Sequence, residues 1–88
     1  MEKSIYSTAY QVFLTNLKAA RERQHITQVT LAERLGQTQS FISKVERGER
    51  RLDVVELRAF CQAIGVEMTS FLAELETDLG AVNAGQNI

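Results

Sequence analysis

The stretch Leu35–Gly48, LGQTQSFISKVERG, decides how this chain reads. It opens on a glycine turn, closes on a second glycine and holds a helix-length run between them. On a helical wheel of about 100° per residue, Ile42 and Val45 form a narrow apolar stripe with Glu46 at its margin. Ser40, Ser43, Lys44 and Arg47 fall away from that stripe, Gln39 projects from the N-terminal tip, and Phe41 flanks the exposed side. Hydroxyls, an amide and long cations suit the edges of base pairs: glutamine fits adenine, lysine fits guanine and serine fits either. An ordinary solvated face carries the same residue types, so the neighbouring segments must decide between the two.

Immediately upstream, Thr27 stands where an N-cap belongs, and Leu31, Ala32 and Leu35 give a short amphipathic helix over about 28–35. Gly36 ends it, because glycine accepts the left-handed conformation that follows a helix. Thr38 is the next N-cap and opens the helix at about 39–47. Two short helices joined by a glycine-containing turn make a helix-turn-helix, whose second helix enters the major groove while the first lies across the backbone. Gln28, in the first turn of the leading helix, can offer its amide and backbone N–H to a phosphate at the positive helix terminus. Arg50 and Arg51, in the loop beyond, would meet another, with Arg47 on the flank between them.

Further out, Tyr6, Tyr10, Phe13, Leu14, Leu17 and Ala20 recur at three- and four-residue spacing, which predicts a first helix over about 5–23, with Ile26 fixing the turn after it. Asp53 followed by Glu56 predicts a capping box for a fourth helix over about 54–64, buried through Leu57, Phe60, Cys61 and Ile64 and stopped by Gly65. A fifth helix near 69–78 contributes Phe71, Leu72 and Leu75. Proline is absent, and there is no internal repeat. The expectation is an all-α fold of five helices in one domain over residues 1–79, followed by a flexible tail at 80–88.

Composition narrows the function. Eighty-eight residues with 44% hydrophobic content support one modest core. One cysteine, Cys61, and one histidine, His25, supply neither a disulfide nor a zinc site, and no cofactor is expected. No apolar run approaches the ~20 residues that span a bilayer, so the expected location is the cytoplasm. The net charge of −1 hides an asymmetry: residues 16–51 carry eight cations against four carboxylates, whereas residues 52–88 carry one against six. A basic middle beside an acidic end suggests one phosphate-facing side. No nucleophile–base pair or glycine-rich phosphate loop is spaced for catalysis, so no enzyme is expected.

Taken together, TQVTLAERLGQTQSFISKVERGERR, residues 27–51, resembles the helix-turn-helix of the phage Cro/repressor class, the Xre family. The similarity runs from about Leu17 to Leu72. It rests on TQ at the first helix start, LA in its middle, the turn glycine, the SFISK run and the ERG ending. The resemblance implies a lambda-repressor-like domain. It also implies that Gln28, Thr38 and Ser43 touch phosphates while Gln39, Ser40 and Lys44 reach base edges. Two departures stand out: Leu52 follows the basic pair where the family often has proline, and SIYSTAYQVF extends the first helix at its N-terminus.

Other residues are assigned by position. Arg21 lies four residues after Leu17 on the apolar face, and an unpaired cation there is costly. Glu46 is its expected partner, tying the first helix to the reading helix, and the resemblance implies the same pair. Phe41 either meets a thymine methyl or leans on the second helix. His25 is a helix-end residue, and Cys61 a small core residue. The aromatic stripe Tyr6, Tyr10, Phe13 reads most simply as core; any of it left uncovered and the fifth helix are rival candidates for a dimer face. The expected function is a small sequence-specific repressor, a homodimer on an inverted-repeat operator in double-stranded DNA. The alternatives are a protein-interaction module, such as an antitoxin or anti-repressor, and an activator of the restriction-modification controller type.

Overall fold

The computed structural model describes residues 7–82. Five helices follow one another: α1 (Thr8–Arg23), α2 (Gln28–Leu35), α3 (Gln39–Glu46), α4 (Val54–Ile64) and α5 (Met68–Gly80). No strand interrupts them among the described residues. The helix expected from residue 5 begins later, because Ser7 is extended and its hydroxyl accepts the Tyr10 N–H at 3.0 Å, capping α1. Tyr6, and the rest of the expected start, lie outside the described residues. At the other end α5 runs two residues past Asp78 to Gly80, the first residue of the expected tail, and residues 83–88 lie outside the described chain.

Four of the five helices carry a side-chain cap, from Ser7, Thr27, Thr38 and Asp53. Asp53 and Glu56 form the full reciprocal box. The helix ends are just as specific. After α2, Gly36 sits at φ 66° while the Gln37 N–H donates to the Ala32 carbonyl at 2.8 Å, the doubled-back closure that a left-handed residue permits. After α1 the same closure is made without glycine. His25 holds φ 58°, its N–H donates to the Glu22 carbonyl at 2.9 Å, and the Ile26 N–H to the Arg21 carbonyl at 3.2 Å. A side chain in that conformation costs roughly 1–2 kcal/mol. The fold therefore tolerates a small local strain to bring Ile26 inward.

The core gathers Leu17, Leu31, Ile42, Val45, Cys61 and Ile64, all essentially sealed from solvent, with Phe60 and Phe71 beside them. Each large aliphatic buried this way contributes about 1.5–3 kcal/mol. α2 packs on α3 and α4, α1 packs on α3 and α5, and α4 packs on α5. Ile42 and Val45, which bury α3, are both fully inaccessible, and the side carrying Gln39, Ser40 and Lys44 faces outward. Phe41 packs against the core, its ring centroid 6.3 Å from that of Phe60 on α4. The N-terminal extension is also used internally. Tyr10 meets Phe13 at 5.3 Å, and Phe13 meets Phe71 edge-on at 6.0 Å, so α5 covers part of the stripe that was the alternative dimer face.

Candidate nucleic-acid interface

The outer side of α3 is built from its first turn. Thr38 caps the helix through its hydroxyl, which accepts the Phe41 N–H at 3.1 Å, and this fixes the direction in which residues 39 and 40 leave the turn. Gln39, Ser40 and Lys44 are all exposed, and Ser43 is half-buried at their side. The first turn of α2 lies beside them, capped by Thr27 through the Thr30 N–H at 3.1 Å. Both helix starts therefore open on the same edge of the molecule.

What locks that edge is a polar chain running outward from the interior. Arg21 is almost fully buried, and it grips Glu46 with two parallel bonds: Nε donates to Oε2 at 2.6 Å and Nη2 to Oε1 at 3.0 Å. Its third arm, Nη1, donates to the Ile26 carbonyl at 2.8 Å, so the cation has no idle side toward the core. The bonds to Glu46 hold the guanidinium above its ordinary range, against the opposing effect of burial. Gln28 Nε2 then donates to Glu46 Oε1 at 2.9 Å, and Gln39 Nε2 donates to Gln28 Oε1 at 3.2 Å. The carboxylate decides the orientation of the Gln28 amide, since only the NH₂ end can face it. The carbonyl end is thereby turned toward Gln39. Sequence reasoning placed Gln28 toward phosphate and missed this link. The available signal was a glutamine opening each of two helices joined by a tight turn.

The cations of the rim divide into those held and those extended. Arg47 binds Glu49 through Nε at 2.9 Å and Nη2 at 3.2 Å and also reaches the Ser43 hydroxyl. The same contact holds the exposed Glu49 carboxyl below its ordinary range. Arg50 forms a two-pronged bond with Glu56, 2.7 Å from Nη1 and 2.8 Å from Nη2, and lies 5.1 Å from the Phe41 ring centroid. Glu56 also accepts the Asp53 N–H at 2.9 Å, and the Arg50 and Asp53 bonds together pull its carboxyl down to about 2. Arg50 thus braces the loop between α3 and α4 against α4. The Arg51 guanidinium sits over the Tyr10 ring, 4.3 Å from its centroid. Arg34, counted in the basic stretch, instead donates to the Ala63 carbonyl at 2.8 Å near the negative end of α4. Arg23 pairs with Glu74 at 3.3 Å on the surface.

Among the described residues no group of His, Cys, Asp and Glu is placed to hold a metal ion, and no helix is long and apolar enough to cross a membrane. Cys61 is buried, and desolvation pushes its thiol up.

Residues 17–71 match a family model described as helix-turn-helix. The chain is similar to an XRE-family like protein from Pseudomonas syringae pv. tomato, at 49% identity over 78% of this chain and 84% of that chain, with a TM-score of 0.75. It is similar to a point mutant of the restriction-modification controller protein C.Esp1396I, at 25% identity over 94% of this chain and all of that one, with a TM-score of 0.75. It also shares its fold with the clp gene regulator ClgR from C. glutamicum, at 23% identity over 78% of this chain and 88% of that chain, with a TM-score of 0.68. No curated protein matches it.

Proposed function

We infer the function from the premise that this chain belongs to the XRE-type helix-turn-helix family, whose model spans residues 17–71: it is a DNA-binding transcriptional regulator. In our reading, α3 enters the major groove, Gln39, Ser40 and Lys44 contact base edges, and α2 lies across the backbone. Gln28 (through its backbone N–H), Thr38, Ser43, Arg47 and Arg51 approach phosphates, while Arg50 braces the loop on Glu56. Catalysis has no part in this reading, and the cytoplasm is where such a regulator meets its DNA.

The observation that carries the reading is the exposed edge shared by the first turns of α2 and α3. There Gln39 is hydrogen-bonded to Gln28, which is itself hydrogen-bonded to the buried Arg21–Glu46 pair. A glutamine held in this way meets a base with less side-chain freedom to lose. Controller protein C.Esp1396I has been solved as a tetramer on its natural operator. By analogy we assign this chain a homodimer on an inverted repeat with half-sites about one helical turn, ~34 Å, apart. Among the described residues the exposed large hydrophobics are Leu72 of α5, Val54 and Val55 at the start of α4, and Val29 of α2; we assign pairing to the first three, which lie away from the reading edge.

The test is selection of bound duplexes from a randomised DNA pool near physiological salt, with Lys44→Ala in parallel. The expected result is an enriched inverted repeat that loses definition at one position of each half-site in the variant. No enrichment, with weak binding that vanishes steeply as salt rises, would leave only phosphate attraction and overturn base reading.

A further inference from the structure

Glu46 stands at the inner end of a hydrogen-bonded chain whose outer end is a side chain assigned to base reading. Its side chain is 5% exposed and accepts three N–H groups, two from Arg21 at 2.6 and 3.0 Å and one from Gln28 Nε2 at 2.9 Å. The two Arg21 bonds fall on separate oxygens, so the carboxylate cannot turn without breaking one of them. Gln28 Oε1 in turn accepts from Gln39 Nε2 at 3.2 Å. Gln28 is half-buried and Gln39 is exposed, so the chain runs from the interior to the reading edge.

Each link has a direction. A carboxylate paired with arginine only accepts, so the Gln28 NH₂ faces Glu46 and the Gln28 carbonyl faces Gln39. Gln39 commits one N–H inward, which leaves its carbonyl and its other N–H for a base. One acceptor beside one donor matches the adenine edge, where N6–H donates and N7 accepts. The guanine edge presents two acceptors, O6 and N7, and sets one of them against the Gln39 carbonyl. A glutamine released from the inward bond could turn both N–H groups to guanine instead. We propose that Glu46 is a positioning residue for sequence choice: through the Gln28 amide it fixes the polarity of Gln39, and so favours adenine over guanine at the base pair that Gln39 meets. The proposal rests on the DNA-binding reading above and deepens it, because it places part of the specificity on a buried carboxylate that meets no base.

The experiment compares all four bases at one pair of the duplex selected by wild type, the pair whose definition is lost in Gln39→Ala. Wild type is expected to prefer adenine over guanine there by at least about fivefold. The neutral variant Arg21→Met/Glu46→Leu gives Gln28 no acceptor. Its preference should fall about three- to tenfold, the worth of one hydrogen bond, while the pair whose definition is lost in Lys44→Ala keeps its discrimination. Gln28→Lys keeps a donor toward Glu46 and offers no acceptor to Gln39. Gln39 should then turn its carbonyl inward, the preference should move toward guanine, and adding Gln39→Ala should abolish that move. Thermal melts identify the folded variants, and if the neutral variant is unfolded the lysine variant decides. An adenine preference unchanged in a folded variant overturns the proposal. So does an equal loss of discrimination at every base pair, which marks Glu46 as purely structural, or a move toward guanine that survives Gln39→Ala. Absence of any selected sequence in wild type would instead remove the base-reading function itself.

Discussion

Replacing Arg21 with methionine keeps an unbranched apolar stem and deletes the charged head, which makes it the sharpest probe of how this fold is held. Arg21 is 7% exposed, and its guanidinium satisfies two acceptors at once, the Glu46 carboxylate and the Ile26 carbonyl. In Arg21→Met the Glu46 side chain, 5% exposed, is left as a buried carboxylate with only the Gln28 amide for company. Breaking one side of a buried pair costs ~3–5 kcal/mol. The stranded Ile26 carbonyl adds about 1 kcal/mol or more. An 88-residue chain has a total stability of roughly 4–13 kcal/mol at ordinary values per residue, so the loss is a large fraction of the whole. At ~4–8 °C per kcal/mol for a domain of this size, Tm should fall by at least about 12 °C. Urea unfolding of Arg21→Met, Glu46→Leu and the double variant measures this directly. The double variant should recover much of the loss, because neither charge is then left unpaired. A single variant that loses under about 1 kcal/mol would refute the reasoning. So would a double variant whose loss equals the sum of the two singles.

Other expectations follow from the same geometry. His25→Gly should stabilise by up to about 1 kcal/mol in a thermal melt, since glycine relieves a left-handed cost of ~1–2 kcal/mol and returns ~0.4–1 kcal/mol through a freer unfolded chain; a lower Tm would show that the imidazole makes a contact of its own. Glu56 is depressed from 4.5 to about 2 by Arg50 and the Asp53 N–H, so its contribution to stability is complete above pH 4.5 and disappears as pH falls toward 2. Glu56→Gln should therefore flatten the acid limb of the stability curve in that window, and an unchanged limb would place the acid sensitivity elsewhere. Burial and the raised thiol make Cys61 inert to alkylating reagents under native conditions, so labelling should track global unfolding in urea, and rapid labelling of the native protein would contradict the core position. Lys44→Ala should change stability by no more than about 0.5 kcal/mol, because the residue is exposed, while altering the selected DNA sequence.

The helices were legible because their signals are local. Thr27, Thr38 and Asp53 cap the helices they were expected to cap, and the glycines at 36 and 65 end them as expected. The apolar spacing picked out Leu17, Leu31, Ile42, Val45 and Ile64 as interior. The start of α1 was less clear, because Ser7 reads as an unremarkable helix residue until its hydroxyl is seen to take the Tyr10 N–H. His25 in a glycine conformation was equally hidden, since nothing in the residue announces a positive φ. At the interface, the exposed set Gln39, Ser40 and Lys44 could be read from a helical wheel, but the partners of Gln28, Arg34, Arg47 and Arg50 could not. Those partners, Glu46, Ala63, Glu49 and Glu56, lie from two to 29 residues away along the chain, and several carboxylates and carbonyls were equally available to each donor.

The sequence by itself determined the bounds of α2, α3 and α4 to within a residue, which stripe of each helix is apolar and which segment makes the helix-turn-helix, because capping, left-handed closure and periodicity act within a few residues. Arg21 apart, whose place on an apolar face already called for Glu46, only the tertiary structure decided which partners the remaining cations take. It turned Arg50 onto Glu56 and Arg34 onto the end of α4, and brought Arg51 over a tyrosine 41 positions earlier. The physical reason is that a long charged side chain takes the best-placed partner within its reach, and that partner is set by how the helices pack.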